Sequence, residues 1–160
     1  MKSYETINKL AKRFEIRLKK NAEENNPVKF SGILVAALSA PEIDIEEDFV
    51  KVDKSHITLL SYELSKDARK VMKTDFNSTN CTPFPTITFG DPYKADNGTK
   101  CSIVVDCNEQ ESIRKWIEDN IINVINADIS IDPSRIYHIS VANRTGSQFD
   151  SVPDPWNHRV

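Results

Sequence analysis

Two of the three histidines in this chain stand in matching frames, His56-Ile57-Thr58-Leu59 and His138-Ile139-Ser140-Val141. Strand side chains alternate between faces. If Ile57 and Leu59, and likewise Ile139 and Val141, point into a core, then His56 with Thr58, and His138 with Ser140, point away from it. Each strand then presents an imidazole and a hydroxyl roughly 7 Å apart along its length. Two such strands side by side supply two imidazoles and two hydroxyls around one space. An imidazole with a pKa near 6.5 can take a proton or give one at neutral pH, so one ring can serve as base and the other as acid. Hydroxyl donors can hold the non-bridging oxygens of a phosphate between them. These are the parts for phosphodiester cleavage without a metal, and which ring is acid and which is base stays open at this level.

The doubling is what gives the motif weight. Serine and threonine make up 23 of the 160 residues. A hydroxyl two places after any one histidine is therefore a coincidence at about one chance in seven, whereas two such frames inside alternating strands are much rarer. Other chemistries lack their parts. A three-histidine zinc site would need His158 in the tail, no His-Glu-x-x-His is present, and no Gly-x-Ser-x-Gly elbow carries a nucleophilic serine. The four glycines (Gly32, Gly90, Gly98, Gly146) stand singly, which excludes a glycine-rich phosphate loop or a dinucleotide fingerprint. Cys81, Cys101 and Cys107 are odd in number and lack Cys-x-x-Cys spacing, so neither a disulfide scaffold nor a zinc ribbon is indicated. The expectation is no metal and no cofactor.

The elements that must position the histidines are legible from periodicity. Residues 3–24 read as an amphipathic helix ended by Asn25-Asn26-Pro27. Phe30 to Leu38 reads as one buried strand, and the acidic stretch 41–54 as a solvated linker. His56 to Tyr62 reads as a strand and Ser65 to Lys73 as a helix capped by Ser65. Thr86 to Tyr93 and Lys100 to Asp106 read as a hairpin turning at Asn97-Gly98. Asn108 to Asn126 reads as a helix with Asn108 and Glu111 as its capping box and Trp116 in its buried stripe. Ile136 to Ala142 is the last strand, with Tyr137 on its packed side, and the tail from Asn143 reads as irregular. This order predicts a single α+β domain over 1–160 with mainly antiparallel sheets flanked by helices. It divides into an N-terminal helix (1–26), a core (28–145) and a tail (146–160). Two further residues draw notice. Trp156, set among prolines and polar residues, either stacks a base or pins the tail. Arg144, just past the second frame, is a candidate phosphate contact.

The net charge of −3, from 24 acidic and 21 basic residues, argues against a partner of long nucleic acid but permits a small phosphorylated ligand. No apolar run has the length of a signal peptide or membrane span, so the expectation is a cytoplasmic chain with no membrane partner.

Paired His-x-Thr/Ser motifs about eighty residues apart, each on a strand, resemble the two-histidine (2H) phosphoesterase superfamily. That superfamily includes RNA 2′,3′-cyclic phosphodiesterases, 2′-5′ RNA ligase-like proteins, and phage enzymes that cut the cyclic oligonucleotide signals of bacterial anti-phage (CBASS) immunity. The resemblance covers roughly residues 28–145. It implies a bilobal fold with pseudo-two-fold symmetry, both motifs lining the cleft between lobes, and His56, Thr58, His138 and Ser140 as the catalytic set. The small size, the weakly acidic composition, and the run Asn143-Arg144-Thr145-Gly146 followed by Asp150-Ser151 and Trp156 are most similar to the phage branch. The resemblance thus implies hydrolysis of a cyclic oligonucleotide in the host cytoplasm, with Trp156 and Arg144 as substrate contacts. An RNA-end phosphodiesterase or ligase-like enzyme, and a nucleotide sponge that binds without cutting, are the alternatives.

Overall fold

The computed structural model describes residues 26–160, so the helix expected over 3–24 lies outside the described residues. Among the described residues, seven strands form two sheets in which every pairing is antiparallel. The first sheet has the order β1 (Val28–Phe30), β2 (Leu34–Ala36), β4 (Ile57–Leu60). The second has the order β3 (Val50–Lys51), β7 (His138–Asn143), β6 (Cys101–Asp106), β5 (Tyr93–Asp96). The chain leaves the first sheet after β2, adds β3 to the second, and returns for β4. The fold is therefore α+β, as composition and pattern predict.

The single strand expected over 30–38 is instead a hairpin. Gly32 sits at φ +89° between β1 and β2, a backbone region that side-chain-bearing residues rarely adopt, and the chain reverses there. The expected hairpin at Asn97-Gly98 is present. Gly98 takes φ +89°, and the Asn97 side chain accepts from the Thr99 and Lys100 N–H groups. Its first strand, Tyr93–Asp96, shares only Tyr93 with the expected Thr86–Tyr93; residues 86–92 contribute only an isolated bridge from Phe89 to Cys107. The acidic stretch is irregular apart from β3, which pairs with the far end of β7.

Helix α1 (Lys66–Asp75) starts where expected, with the Ser65 hydroxyl accepting from Ala68 N–H at 3.1 Å. Helix α2 (Gln110–Ile117) differs from expectation at both ends. Its cap is Glu109 rather than Asn108, and no side-chain capping bond forms. Asn108 and Glu109 are both drawn to Thr88: Asn108 Nδ2 donates to Thr88 Oγ1, and Glu109 accepts from the Thr88 N–H and hydroxyl. Beyond Ile117 the helix widens into a π-helical turn, Glu118–Ile122. The Asn120 side chain donates to the Trp116 carbonyl at 2.9 Å, taking the acceptor that an α-helical ladder would use. It also exchanges hydrogen bonds with Thr82, while Trp116 Nε1 donates to the Thr82 carbonyl, so the segment that follows α1 is fastened onto this helix.

One large core cluster joins the parts that matter for the site. Ile57, Leu59 and Leu60 of β4, Ile139 and Val141 of β7, Met72 of α1, and Ile113, Trp116 and Ile117 of α2 all belong to it. Fully burying each such side chain is worth about 1.5–3 kcal/mol. Because both histidine-bearing strands commit their apolar faces to the same core, their polar faces are forced outward together.

Candidate active site

His56 precedes β4, and His138 opens β7. Ile57 and Ile139 are fully buried, whereas His56, Thr58, His138 and Ser140 are each half-buried. All four line one cavity of about 260 Å³. The alternation expected from the sequence holds on both strands.

The two frames match in two further respects. His56 Nδ1 lies 3.0 Å from the Lys54 carbonyl, and His138 Nδ1 lies 2.8 Å from the Ile136 carbonyl. Each ring thus bonds the carbonyl two residues before it. A carbonyl can only accept, so both Nδ1 atoms carry their protons and both Nε2 atoms are left to exchange protons with a ligand. Each strand also carries an extra residue at the equivalent place. Opposite β2, Thr58 pairs with Val35 and Leu60 with Leu34, which leaves Leu59 unpaired. Opposite β6, Ser140 pairs with Val104 and Ala142 with Ile103, which leaves Val141 unpaired. A bulge bends its strand and re-aims neighbouring side chains. Here one follows each hydroxyl residue directly.

Burial keeps the His138 pKa below its ordinary value of 6.5, and the charges of Arg135 and His56 push the same way. The Ile136 carbonyl and the Asp106 carboxylate oppose the shift without cancelling it. His138 is backed by Trp156, whose ring centroid is 5.6 Å away at an interplanar angle of 59°. Trp156 is half-buried, its indole N–H has no partner among the described residues, and it is not one of the cavity's lining residues. The tail that brings it there is docked rather than loose: two 3-10 turns, Gln148–Asp150 and Pro155–Asn157, flank Val152, which packs with Tyr93, Ala95 and Val104. Arg144 is exposed and does not reach the cavity. Its guanidinium lies 4.3 Å from the centre of the Phe49 ring and donates to the Asp48 carbonyl. Tyr137 is fully buried and Trp116 nearly so, both in the core as expected.

Several lining residues carry no sequence signal. Arg135 and Lys100 bring positive charge to the cavity wall, and Tyr62 and Phe149 bring rings that are 81% and 77% exposed. Phe149 and Gln148 arrive on a loop organised by Asn143. The fully buried Asn143 side chain accepts from the Thr145 and Gly146 N–H groups and donates to the Ser147 carbonyl and the Ser151 hydroxyl. Lys100 Nζ holds the same loop through the Phe149 carbonyl at 2.7 Å. Gln110 secures the approach to β7. Its amide donates to the Cys107 and Tyr137 carbonyls and accepts from the Tyr137 N–H, one residue before His138.

Among the described residues, no group of three or more His, Cys, Asp or Glu side chains is gathered so as to hold a metal ion, and no helix is long and apolar enough to cross a membrane. No protein-family model, curated protein or solved structure matches this chain at a significant level.

Proposed function

We propose that the chain is a metal-independent phosphodiesterase of the two-histidine kind. It hydrolyses cyclic oligonucleotide signals, in the manner of phage enzymes that evade CBASS immunity, and it works in the host cytoplasm. The observation that carries this reading is the meeting of two imidazoles and two hydroxyls, from two frames with the same ring anchoring and the same bulge, in one cavity. A repeated construction of this kind supports two lobes related by a pseudo-two-fold axis. The exposed rings of Tyr62 and Phe149 in the cavity lining support a ligand that carries flat aromatic faces beside its phosphate.

The chemistry follows from the ring nitrogens. Nε2 of one histidine takes the proton from an attacking hydroxyl, either the neighbouring ribose 2′-hydroxyl or a water. The new O–P bond forms as the bond to the leaving oxygen breaks, and the other histidine, entering protonated, gives its proton to that oxygen. Burial favours the neutral form of His138, which suits it as the base. Thr58 and Ser140 donate to the non-bridging oxygens as charge gathers there. Acid and base both come from side chains, so no metal-bound water is called for.

Incubation with cyclic di- and trinucleotides and with a 2′,3′-cyclic-phosphate RNA, in EDTA, tests this by chromatography and mass spectrometry. Linear products are expected from wild type alone. His56→Ala and His138→Ala should each lose about 10²- to 10⁴-fold in rate. Cleavage confined to the RNA end would move the activity to RNA processing, and ligand retained uncut would make the chain a nucleotide sponge.

A further inference from the structure

At the cavity wall a buried ion pair joins the two halves of the site. Glu63 follows the His56 strand and Arg135 precedes the His138 strand, and both side chains are 8% exposed. Glu63 Oε1 accepts from Arg135 Nε at 2.9 Å, and Oε2 accepts from Nη2 at 3.4 Å and from the Ser61 N–H at 2.8 Å. The Arg135 backbone is held as well: its N–H donates to the Asp132 carbonyl, and its own carbonyl accepts from Arg114 Nη2. Such a pair is weak grounds for stability, because desolvating two charges offsets most of their attraction. Its placement points elsewhere. The carboxylate takes one edge of the guanidinium, Nη1 makes no hydrogen bond among the described residues, and Arg135 forms part of the cavity wall with both histidines.

Resting on the proposed reading of the site, we infer that Arg135 is its phosphate-binding cation. Through Nη1 it donates to a non-bridging oxygen of the phosphodiester, and Glu63 is the positioning residue that sets the guanidinium plane. Arginine suits this role because its planar fork can bind a carboxylate along one edge and a phosphoryl oxygen at the other, while an ammonium offers a single point of charge. A donor fixed before the ligand arrives needs no reorganisation as charge develops on the phosphoryl group. Lys100 lines the same cavity, but its Nζ is engaged with the Phe149 carbonyl, so it shapes the loop first.

Inorganic phosphate is the probe, since it requires neither turnover nor a known nucleotide. Titrated into wild type with 15N-labelled arginine and histidine, it should shift the Arg135 guanidinium signal together with the His56 and His138 ring signals. Arg135→Lys should weaken phosphate binding about tenfold or more and lower kcat about 10²- to 10³-fold, with a smaller change in KM. Glu63→Gln should show the same pattern in weaker form, with the guanidinium signal altered before phosphate is added. A wild-type titration that moves the histidines and leaves Arg135 unmoved overturns the inference, as does one that moves neither. Arg135→Lys binding phosphate as tightly as wild type overturns it too. If phosphate binding depends on Arg135 and every nucleotide is left uncut, the inference stands and the enzymatic reading falls.

Discussion

Gln110 gives the sharpest test of how the second histidine is held. Its half-buried amide makes three hydrogen bonds, to the Cys107 carbonyl at 2.8 Å, to the Tyr137 carbonyl at 2.8 Å and from the Tyr137 N–H at 2.9 Å. Gln110→Met keeps the length and removes all three. The Tyr137 carbonyl retains the Cys107 N–H, but the Tyr137 N–H has no other acceptor among the described residues. With the bond to the Cys107 carbonyl worth about 1 kcal/mol net, the Tyr137 carbonyl still holding a donor, and an orphaned buried N–H costing about 1–3 kcal/mol, the expected loss is about 2–4 kcal/mol. For a domain of this size that lowers Tm by roughly 5–15 °C. Gln110→Glu adds a second, independent sign. Its carboxylate still accepts from the Tyr137 N–H but faces two carbonyl oxygens with no donor, which raises the folded-state pKa above the unfolded value of about 4.3. A raised folded pKa means that stability is present at low pH and lost as pH rises through that pKa. Denaturant melts of both variants between pH 4 and 8 measure this, with turnover per folded molecule alongside. Gln110→Met within about 0.5 kcal/mol of wild type, or Gln110→Glu with no added pH slope, would refute the reasoning.

Three other expectations follow. Because burial lowers the pKa of His138, the unfolded chain binds its proton first, so the stability tied to neutral His138 is full above about pH 6.5 and is lost as pH falls through the folded pKa; His138→Asn should flatten that part of the stability curve. Gly146→Ala would place a Cβ 2.8 Å from Val50 Cγ1 and 3.1 Å from the Lys51 carbonyl at φ +82°, so it should cost at least about 2 kcal/mol in a denaturant melt and loosen the loop carrying Phe149. The Cys107 thiol is pushed up to about 12 by burial and by the nearby Glu109 and Asp106 carboxylates, so iodoacetamide at pH 8 should modify it at the rate of unfolding, as a mass-spectrometric time course would show.

What the sequence made legible was local. Alternation placed His56 with Thr58 and His138 with Ser140 on the polar sides of their strands, Ser65 announced a helix start, and Asn97-Gly98 announced a turn. Each of those signals acts within a few residues. The misread elements were decided by competition from farther away. Asn108 had the chemistry of a cap, but Thr88, twenty residues earlier, took its side chain, and Asn120 broke the helical ladder while fastening Thr82. Ser31-Gly32 turns the chain between two apolar runs that apolar character alone would join into one strand. The rest of the cavity was not legible at all. Arg135 finds Glu63 across 72 positions; outside the cavity, the Arg144 guanidinium lies over Phe49 from a segment almost a hundred residues earlier.

The last residues of the chain link two hazards that are usually separate. β5 is an outer strand of its sheet, and its open side is occupied by residues 158–160: Asp96 N–H donates to the His158 carbonyl, Val160 N–H donates to the Lys94 carbonyl, and Arg159 bridges to Ala95 while covering the Tyr93 ring. An uncovered strand edge is a template for another chain. The same segment carries Trp156 to the back of His138. Whatever lifts this segment, a nick near Pro153 or a bulky fusion after Val160, uncovers a sticky edge and strips the histidine of its support in one step. Damaged molecules should therefore leave solution, and under the proposed function they would lose turnover in the same step, so that few would persist as copies competing for ligand.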